Sequence, residues 1–510
     1  MTAAHLALLT LGCAPAPAPS ADPDAFALRR LTRAEYARTA EAILGAPLPL
    51  AADLPPDDSS HGLDAVAEAL SISPLHVEIY EQAASALAQA ILRQPLAAPV
   101  SLVVQGEDPR GIEDGPEWND PRGDHYAFAS AGTLHLPFTI PAEGRYRVTV
   151  RARPHQAGDE GVRMTVAVDG VEALTHTFSL DGPAGWQDLA FEAQLPARPV
   201  AVSVAYLNDL WDPDAGLDRN LDLDQVEIAG PVDFRYTPNR AWDRWIPCDP
   251  AAGRACAVEI LDTLLPAAWR RPVTPTDAAP VLDLYDAVLA DGGTPLEALE
   301  FAVRAAFLSP RFLLHLEPAG AVGHVDAWSL ANRLSYFLWS GPPDDELRAT
   351  AADGTLLDEA VLVAQAHRML RDPRASSLTD ELAAQWLGIR LIETAEPDPW
   401  AFPAFNSTLR ASMAGELRAF FRTFVGTDRP LRDLVLSEWG YVDNNLARFY
   451  GIQMPDSPGF RPAGVATLHR GGILGTAGLQ MALSYPTRTS PVRRGVWVLT
   501  QLLCDEPEPA

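Results

Sequence analysis

The hydrophobic period of this chain changes twice, and that constrains its architecture more than any other feature. RYRVTVR (Arg145–Arg151) alternates, with Tyr146, Val148 and Val150 on one face and arginines on the other. RMTVAVD repeats the pattern with Met164, Val166 and Val168, and VAVSVAY repeats it with Val200, Val202, Val204 and Tyr206. Gly- and Pro-containing turns (PAEG, VDG, DGPAG) separate these runs. Period-two alternation with such punctuation predicts an antiparallel β-sandwich, placed here at 100–233. After Leu223 the apolar phase slips by one, to Val226 and Ile228. A one-residue slip reverses faces, so a bulge is expected near Asp224.

On both sides of this stretch the period is helical. LRRLTRAEYARTAEAIL puts Leu28, Leu31, Tyr36, Ala40, Ile43 and Leu44 near one stripe, with Thr32 and Glu35 spaced as a capping box. A second helix is expected from about Pro74 to Leu92. Further on, Leu330, Leu334, Phe337 and Leu338 form a stripe that reads as core, with Asp326 as N-cap. Leu409, Met413, Leu417, Phe420, Phe421 and Phe424 form another. The expected fold class is therefore multidomain α + β, with helical segments flanking an inserted antiparallel β-sandwich. The segments are 1–27 (signal and Pro/Ala tether), 28–99, 100–233, 240–318, 322–453 and 464–510.

The strongest local chemistry is acidic. Asn208–Asp224 reads NDLWDPDAGLDRNLDLD, seventeen residues with six aspartates and two asparagines. Carboxylates packed so closely repel one another unless something neutralises them. Calcium does so with about six to eight oxygen ligands from flexible loops. The plain alternative is a solvated acidic turn.

The net charge of −28 argues against a polyanionic partner such as nucleic acid, which needs a basic face. All 39 basic residues are arginine, which excludes Schiff-base chemistry, a P-loop and a Ser-Lys dyad, since each requires an amine. The sequence contains no HExxH, GxSxG, GxGxxG, CxxC or CxxCH pattern.

The N-terminus pairs a short apolar run, Ala3–Leu11, with Gly12-Cys13 and a Pro/Ala tether. The run is too short to span a bilayer and reads as a signal region. Gly-Cys at its end resembles a lipobox, which would make Cys13 the acylated residue and the protein an exported, lipid-anchored one at the cell surface or in the periplasm. An ordinary secretory signal is the alternative. In an exported chain a Cys248–Cys256 disulfide is the default for CDPAAGRAC. A metal pair is its rival. Cys504 is left to pair outside this sequence.

Two further clusters stand out. His469, Arg470, Arg488, Arg493 and Arg494 lie close in sequence, with Ser490-Pro491 reading as N-cap and first residue of a helix. Arginines at a helix N-terminus oppose the dipole, so either carboxylates of the chain hold them or an anion such as a uronate does. In the second case His469 is a candidate acid/base. The acids Asp344, Asp345 and Glu346 follow Gly-Pro-Pro and suit the start of a helix, so capping is preferred to a paired-carboxylate hydrolase site.

LRRLTRAEYARTAEAILG, LPPDDSSHGLD, WRRPVT, SPRFLLHLEP, NRLSYFLWSGPPDDELRATAADGTL, HRMLRDPR and HRGGILGTAGL…SPVRRGVWVL together resemble a set of bacterial domains of unknown function. These occur in large exported proteins, often beside planctomycete-type cytochrome c domains, so a cytochrome partner is implied. The set continues beyond the SPVRRG helix, so 464–510 reads as truncated. AYLNDLWDPDAGLDRNLDLDQVEIAGP resembles calcium-dependent, xylan-binding carbohydrate modules, in which the ion ligates sugar hydroxyls. The resemblance implies Asn208, Asp209, Asp218 and Asn220 as metal ligands. It also implies Trp211 as a ring for stacking on sugar, with loop packing as the alternative. The expected function is calcium-dependent polysaccharide binding, with a helical body that processes the same glycan. A non-catalytic scaffold and a redox accessory to a cytochrome are the alternatives.

Overall fold

A computed structural model describes residues 29–60, 62–67, 69–317, 325–468, 470–503 and 505. The chain divides into two units, Gln94–Asn239 and the remainder on either side of it.

Gln94–Asn239 forms a sandwich of two antiparallel sheets. In the larger sheet Gln187–Leu195, Gly144–His155, Leu217–Gly230, Tyr126–Phe128 and Asp120–Pro121 follow one another, with Val100–Gln105 and Leu210–Asp212 also paired to the long Leu217–Gly230 strand. The smaller sheet runs Ile112–Asp114, Gly132–Thr139, Pro199–Tyr206, Arg163–Val168, Val171–Thr177. The alternating positions that face inward are closed from solvent: Tyr146, Val148, Val150, Met164, Val166, Val202 and Val204 are all 0% exposed. Each such side chain contributes about 1.5–3 kcal/mol on burial. The register along Leu217–Gly230 shifts between Leu223 and Gln225, so the expected bulge falls at Asp224.

The second unit is helical. Arg33–Leu44 opens on a complete capping box, in which the Glu35 amide donates to Thr32 Oγ1 (3.2 Å) and the Thr32 amide donates to Glu35 Oε2 (2.9 Å). Pro74–Leu92 spans the expected range and is capped by Ser73. A two-residue strand, Arg29–Arg30, pairs antiparallel with Leu314–His315 and sets Arg29 opposite His315. One apolar cluster joins Tyr36, Ala84 and Leu87 to Leu264, Leu299 and Phe307. The chain therefore leaves this core at Leu92 and re-enters it at Ala241. Two further clusters centre on Trp339 with Leu347 and Met369, and on Leu417 with Leu446 and Ile473. Cys248 and Cys256 are disulfide-bonded.

One expected core stripe needs correction. In Ala327–Trp339, Phe337 is 46% exposed, and Leu330 and Leu334 are only partly buried. This helix serves two cores: Tyr336 packs into the first cluster, and Ala327, Ala331, Leu338 and Trp339 into another. Its buried arc is set by those two neighbours, so it does not follow the stripe of largest apolar side chains.

Candidate functional site

The acidic run folds as a hairpin. Leu210–Asp212 pairs with Leu217–Arg219, so Trp211 lies directly opposite Asp218. Asp212 Oδ1 accepts from the amides of Asp214 and Ala215 and closes the tip. Alternation puts Asp218, Asn220 and Asp222 on one face of the long strand and Leu217, Arg219, Leu221 and Leu223 on the other. The hairpin is pinned by buried Arg219, whose Nε and Nη2 donate to Ala157 O (3.0 and 2.7 Å) and whose Nη1 donates to Asn208 O (3.0 Å). The Tyr206 hydroxyl donates to Asn208 O and Arg219 O. Burial pushes the Tyr206 phenol up, and the nearby Asp209 and Asp218 carboxylates push it the same way.

The four ligand candidates occupy different positions. Asn208 braces the hairpin: its Oδ1 accepts from the Arg163 amide (2.7 Å) and its Nδ2 donates to Gly161 O (2.9 Å). Asp209 and Asp218 are exposed and, among the described residues, neither is in an ion pair. Asn220 Oδ1 is buried and has no hydrogen-bond partner. Among the described residues no three His, Cys, Asp or Glu side chains converge as a metal cage. Asp209, Asp218 and Asn220 Oδ1 are oxygen donors, the donor type that calcium takes. Trp211 is 67% exposed, so its ring is open to solvent.

Two further acids of the run, Asp222 and Asp224, are neutralised by the protein itself. Asp222, 5% exposed, accepts from Arg153 (2.9 and 2.5 Å) and lies 2.7 Å from His155 Nε2. Asp224 pairs with Arg151 at 3.0 Å. Arg153 also lies 4.5 Å over the Trp186 ring, and His125 stands edge-on to that ring. Sequence reasoning passed over this Asp222–Arg153–His155–Trp186 patch. The signal for it was available, because the Arg145–Arg151 alternation continues through Arg153 to His155.

Five family models match the chain. One, the Ca-dependent carbohydrate-binding module, xylan-binding, covers residues 147–240. The sandwich holds a carbohydrate-binding module. The other four are proteins of unknown function: DUF1587 at 29–93, DUF1595 at 256–317, DUF1592 at 325–452 and DUF1588 at 470–510. These four are the planctomycete cytochrome c-associated set. Solved structures similar to the module region include the CBM36-1 domain of a multidomain xylanase from the hindgut metagenome of Trinervitermes trinervoides (12% identity, TM-score 0.21, 26% of this chain and 98% of that one). Others are a family 35 carbohydrate binding module from Clostridium thermocellum (13%, 0.18, 26% and 98%) and the C-terminal CBM6 of a laminarinase from Zobellia galactanivorans (10%, 0.19, 26% and 100%). Among curated proteins none matches. The module match begins inside the Gly144–His155 strand, yet Val100–Gln105 and Gly132–Thr139 pair into the same two sheets.

In the helical unit the arginine cluster separates into two groups. Arg470 Nη1 donates to Gly475 O (2.8 Å), and its guanidinium lies 4.4 Å over Tyr450. The Tyr450 hydroxyl donates to Glu416, with contacts of 3.0 and 2.8 Å to its two oxygens, and accepts from the Ala477 amide. Burial pushes the Glu416 carboxyl up to about 8. Arg488 and Arg493 instead flank Tyr485, and Arg493 Nη1 donates to Ser484 O (2.7 Å). Arg494 Nε is buried with no partner. Among the described residues no carboxylate pairs with Arg470, Arg488, Arg493 or Arg494; carbonyls or tyrosine rings take that place for Arg470, Arg488 and Arg493. His469, Cys13 and Cys504 lie outside the described residues. Asp344 is the N-cap of Asp345–Ala352 and pairs with Arg368 (2.8 Å) and Arg374 (3.1 Å), which is the capping role expected of it.

Proposed function

We propose that this is an exported protein that binds xylan-like polysaccharide through a calcium ion carried on the 208–220 hairpin. The observation that carries the reading is the match of residues 147–240 to a calcium-dependent xylan-binding module, with Trp211 exposed on the same hairpin as two unpaired aspartates. Asp209, Asp218 and Asn220 Oδ1 would hold the ion, and bound calcium supplies positive charge to which saccharide hydroxyl oxygens can ligate. Asn208 keeps the hairpin in place, and Trp211 offers an apolar ring face to a sugar. Arg219 and Tyr206 hold the backbone of the same loop so that little ordering is needed on binding. Cys13 would anchor the chain to a membrane. Among the described residues no helix is long and apolar enough to cross one.

The test is retention of the full chain on insoluble xylan. Binding is expected with calcium and is expected to fall at least tenfold in EDTA, returning when calcium is restored. Trp211→Ala is expected to weaken binding by about 1–3 kcal/mol without changing thermal stability. Retention that ignores chelator removes the ion from the recognition step.

A further inference from the structure

We propose that the helical unit holds a second ligand site, independent of the module, for a hydroxylated carboxylate of the sugar-acid class. The site is a cavity of about 650 Å³, a size typical of small-molecule sites. Its walls come from five of the segments quoted above, LRRLTRAEY, LPPDDSSHGLD, WRRPVT, SPRFLLHLEP and NRLSYFLWS, brought together by the Arg29–His315 strand pair.

Charge is distributed unevenly around this cavity. Arg29 is cancelled by Glu35 (2.7 and 2.9 Å), and Arg333 by Glu317 (2.6 and 2.5 Å). Asp64 and Glu381 are bridged by Arg390 (2.8 and 2.9 Å), with Arg38 at 3.9 Å from Glu381. Arg271 and Arg311, by contrast, share one carboxylate, both reaching Asp277 Oδ1 (2.9 and 3.1 Å). Buried Arg270 has no carboxylate partner among the described residues; its Nη1 and Nη2 donate to the carbonyls of Ala268, Phe312, Arg311 and Leu314. One end of the cavity thus carries an excess of positive charge in a chain whose net charge is −28. Guanidinium groups favour planar carboxylates there.

The rest of the wall calls for ligand donors. Asn332 donates Nδ2 to Arg270 O (3.0 Å), while its Oδ1 is buried without a partner. A buried acceptor of this kind is costly unless a donor meets it, and a ligand hydroxyl would do so. His315 lines the same cavity, Nε2 3.4 Å from Glu35 and its ring edge-on to Tyr336. Burial lowers the His315 pKa against the raising effect of Glu35, and a ring nitrogen on this wall can hydrogen-bond a ligand hydroxyl. Trp269 adds an apolar face under Arg311.

The experiment is calorimetric titration of the EDTA-treated full chain, in which the module's ion is absent, with sodium D-glucuronate, sodium acetate, D-glucose and inorganic phosphate. Glucuronate is expected to bind, with acetate and glucose each at least tenfold weaker because each lacks one half of the recognition. Asn332→Asp, which keeps the shape and adds a negative charge, and Arg271→Gln are each expected to weaken glucuronate at least tenfold while Trp211→Ala has no effect. Binding of glucose or phosphate as tight as glucuronate, no binding of glucuronate, or affinity unchanged in folded Asn332→Asp would each overturn the assignment. Loss of the module's xylan binding would leave this result untouched.

Discussion

Glu416→Gln is expected to stabilise the chain at alkaline pH and to leave it nearly unchanged near pH 5. Glu416 is 3% exposed, and burial holds its carboxyl at about 8 against an ordinary 4.5. The neighbours that act on it are Tyr450, Arg470 and, with opposite sign, Asp443. The folded state keeps this proton between those two values, whereas the unfolded chain has lost it. Stability therefore falls as pH rises from about 4.5 through about 8. At roughly 1.36 kcal/mol per pH unit the full penalty is on the order of 5 kcal/mol. Glutamine cannot ionise, yet its amide oxygen still accepts from Tyr450. Denaturant unfolding at pH 5 and pH 9 should show a variant advantage that grows by several kcal/mol. An equal difference at both pH values would mean that Glu416 is ionised in the folded protein throughout.

Glu35→Gln is expected to act in the opposite direction. Glu35 accepts from both Arg29 guanidinium nitrogens and from the Thr32 amide, with His315 Nε2 nearby. Burial by itself would raise its pKa, but His315 and Arg29 outweigh it and hold the carboxyl far below the usual range. Its stabilisation is present above the unfolded value of 4.5 and is lost as pH falls below it. The substitution leaves Arg29 without its counter-charge and weakens the helix cap. The expected cost at pH 7 is about 3 kcal/mol, the low end for a broken buried pair because Arg29 is 19% exposed. As pH falls below about 4.5 the gap between variant and parent should narrow progressively, because the parent's advantage is lost only as pH approaches the depressed folded value. A variant as stable as the parent at pH 7 would show that the pair contributes nothing net.

Much of the fold was legible because it is written in short-range periods. The alternation at Tyr146–Val150 returned the sandwich, the Leu223-to-Val226 slip returned the bulge, and Thr32 with Glu35 returned the helix start. The carbohydrate-binding resemblance rested on one acidic run and is matched by residues 147–240. What could not be read was which acids of that run are satisfied internally. Asp222 and Asp224 meet arginines on a strand about seventy residues earlier, a pairing that depends on sheet register and leaves no local trace. The same holds for Glu35 and His315, which lie 280 residues apart. Phe337 was misassigned because an apolar stripe marks a face to be covered without saying whether a core or a cavity wall covers it.

The interrupted helical core has a consequence for biogenesis. Tyr36 and Leu87 find Leu264 and Phe307 only across the whole inserted module. A nascent chain emerging in order would therefore complete the module before its first helices could meet their partners. Contacts this distant in sequence close slowly. Until then the apolar faces of Arg33–Leu44 and Pro74–Leu92 stand open, a dependence on shielding that neither unit would have if the two were simply joined end to end.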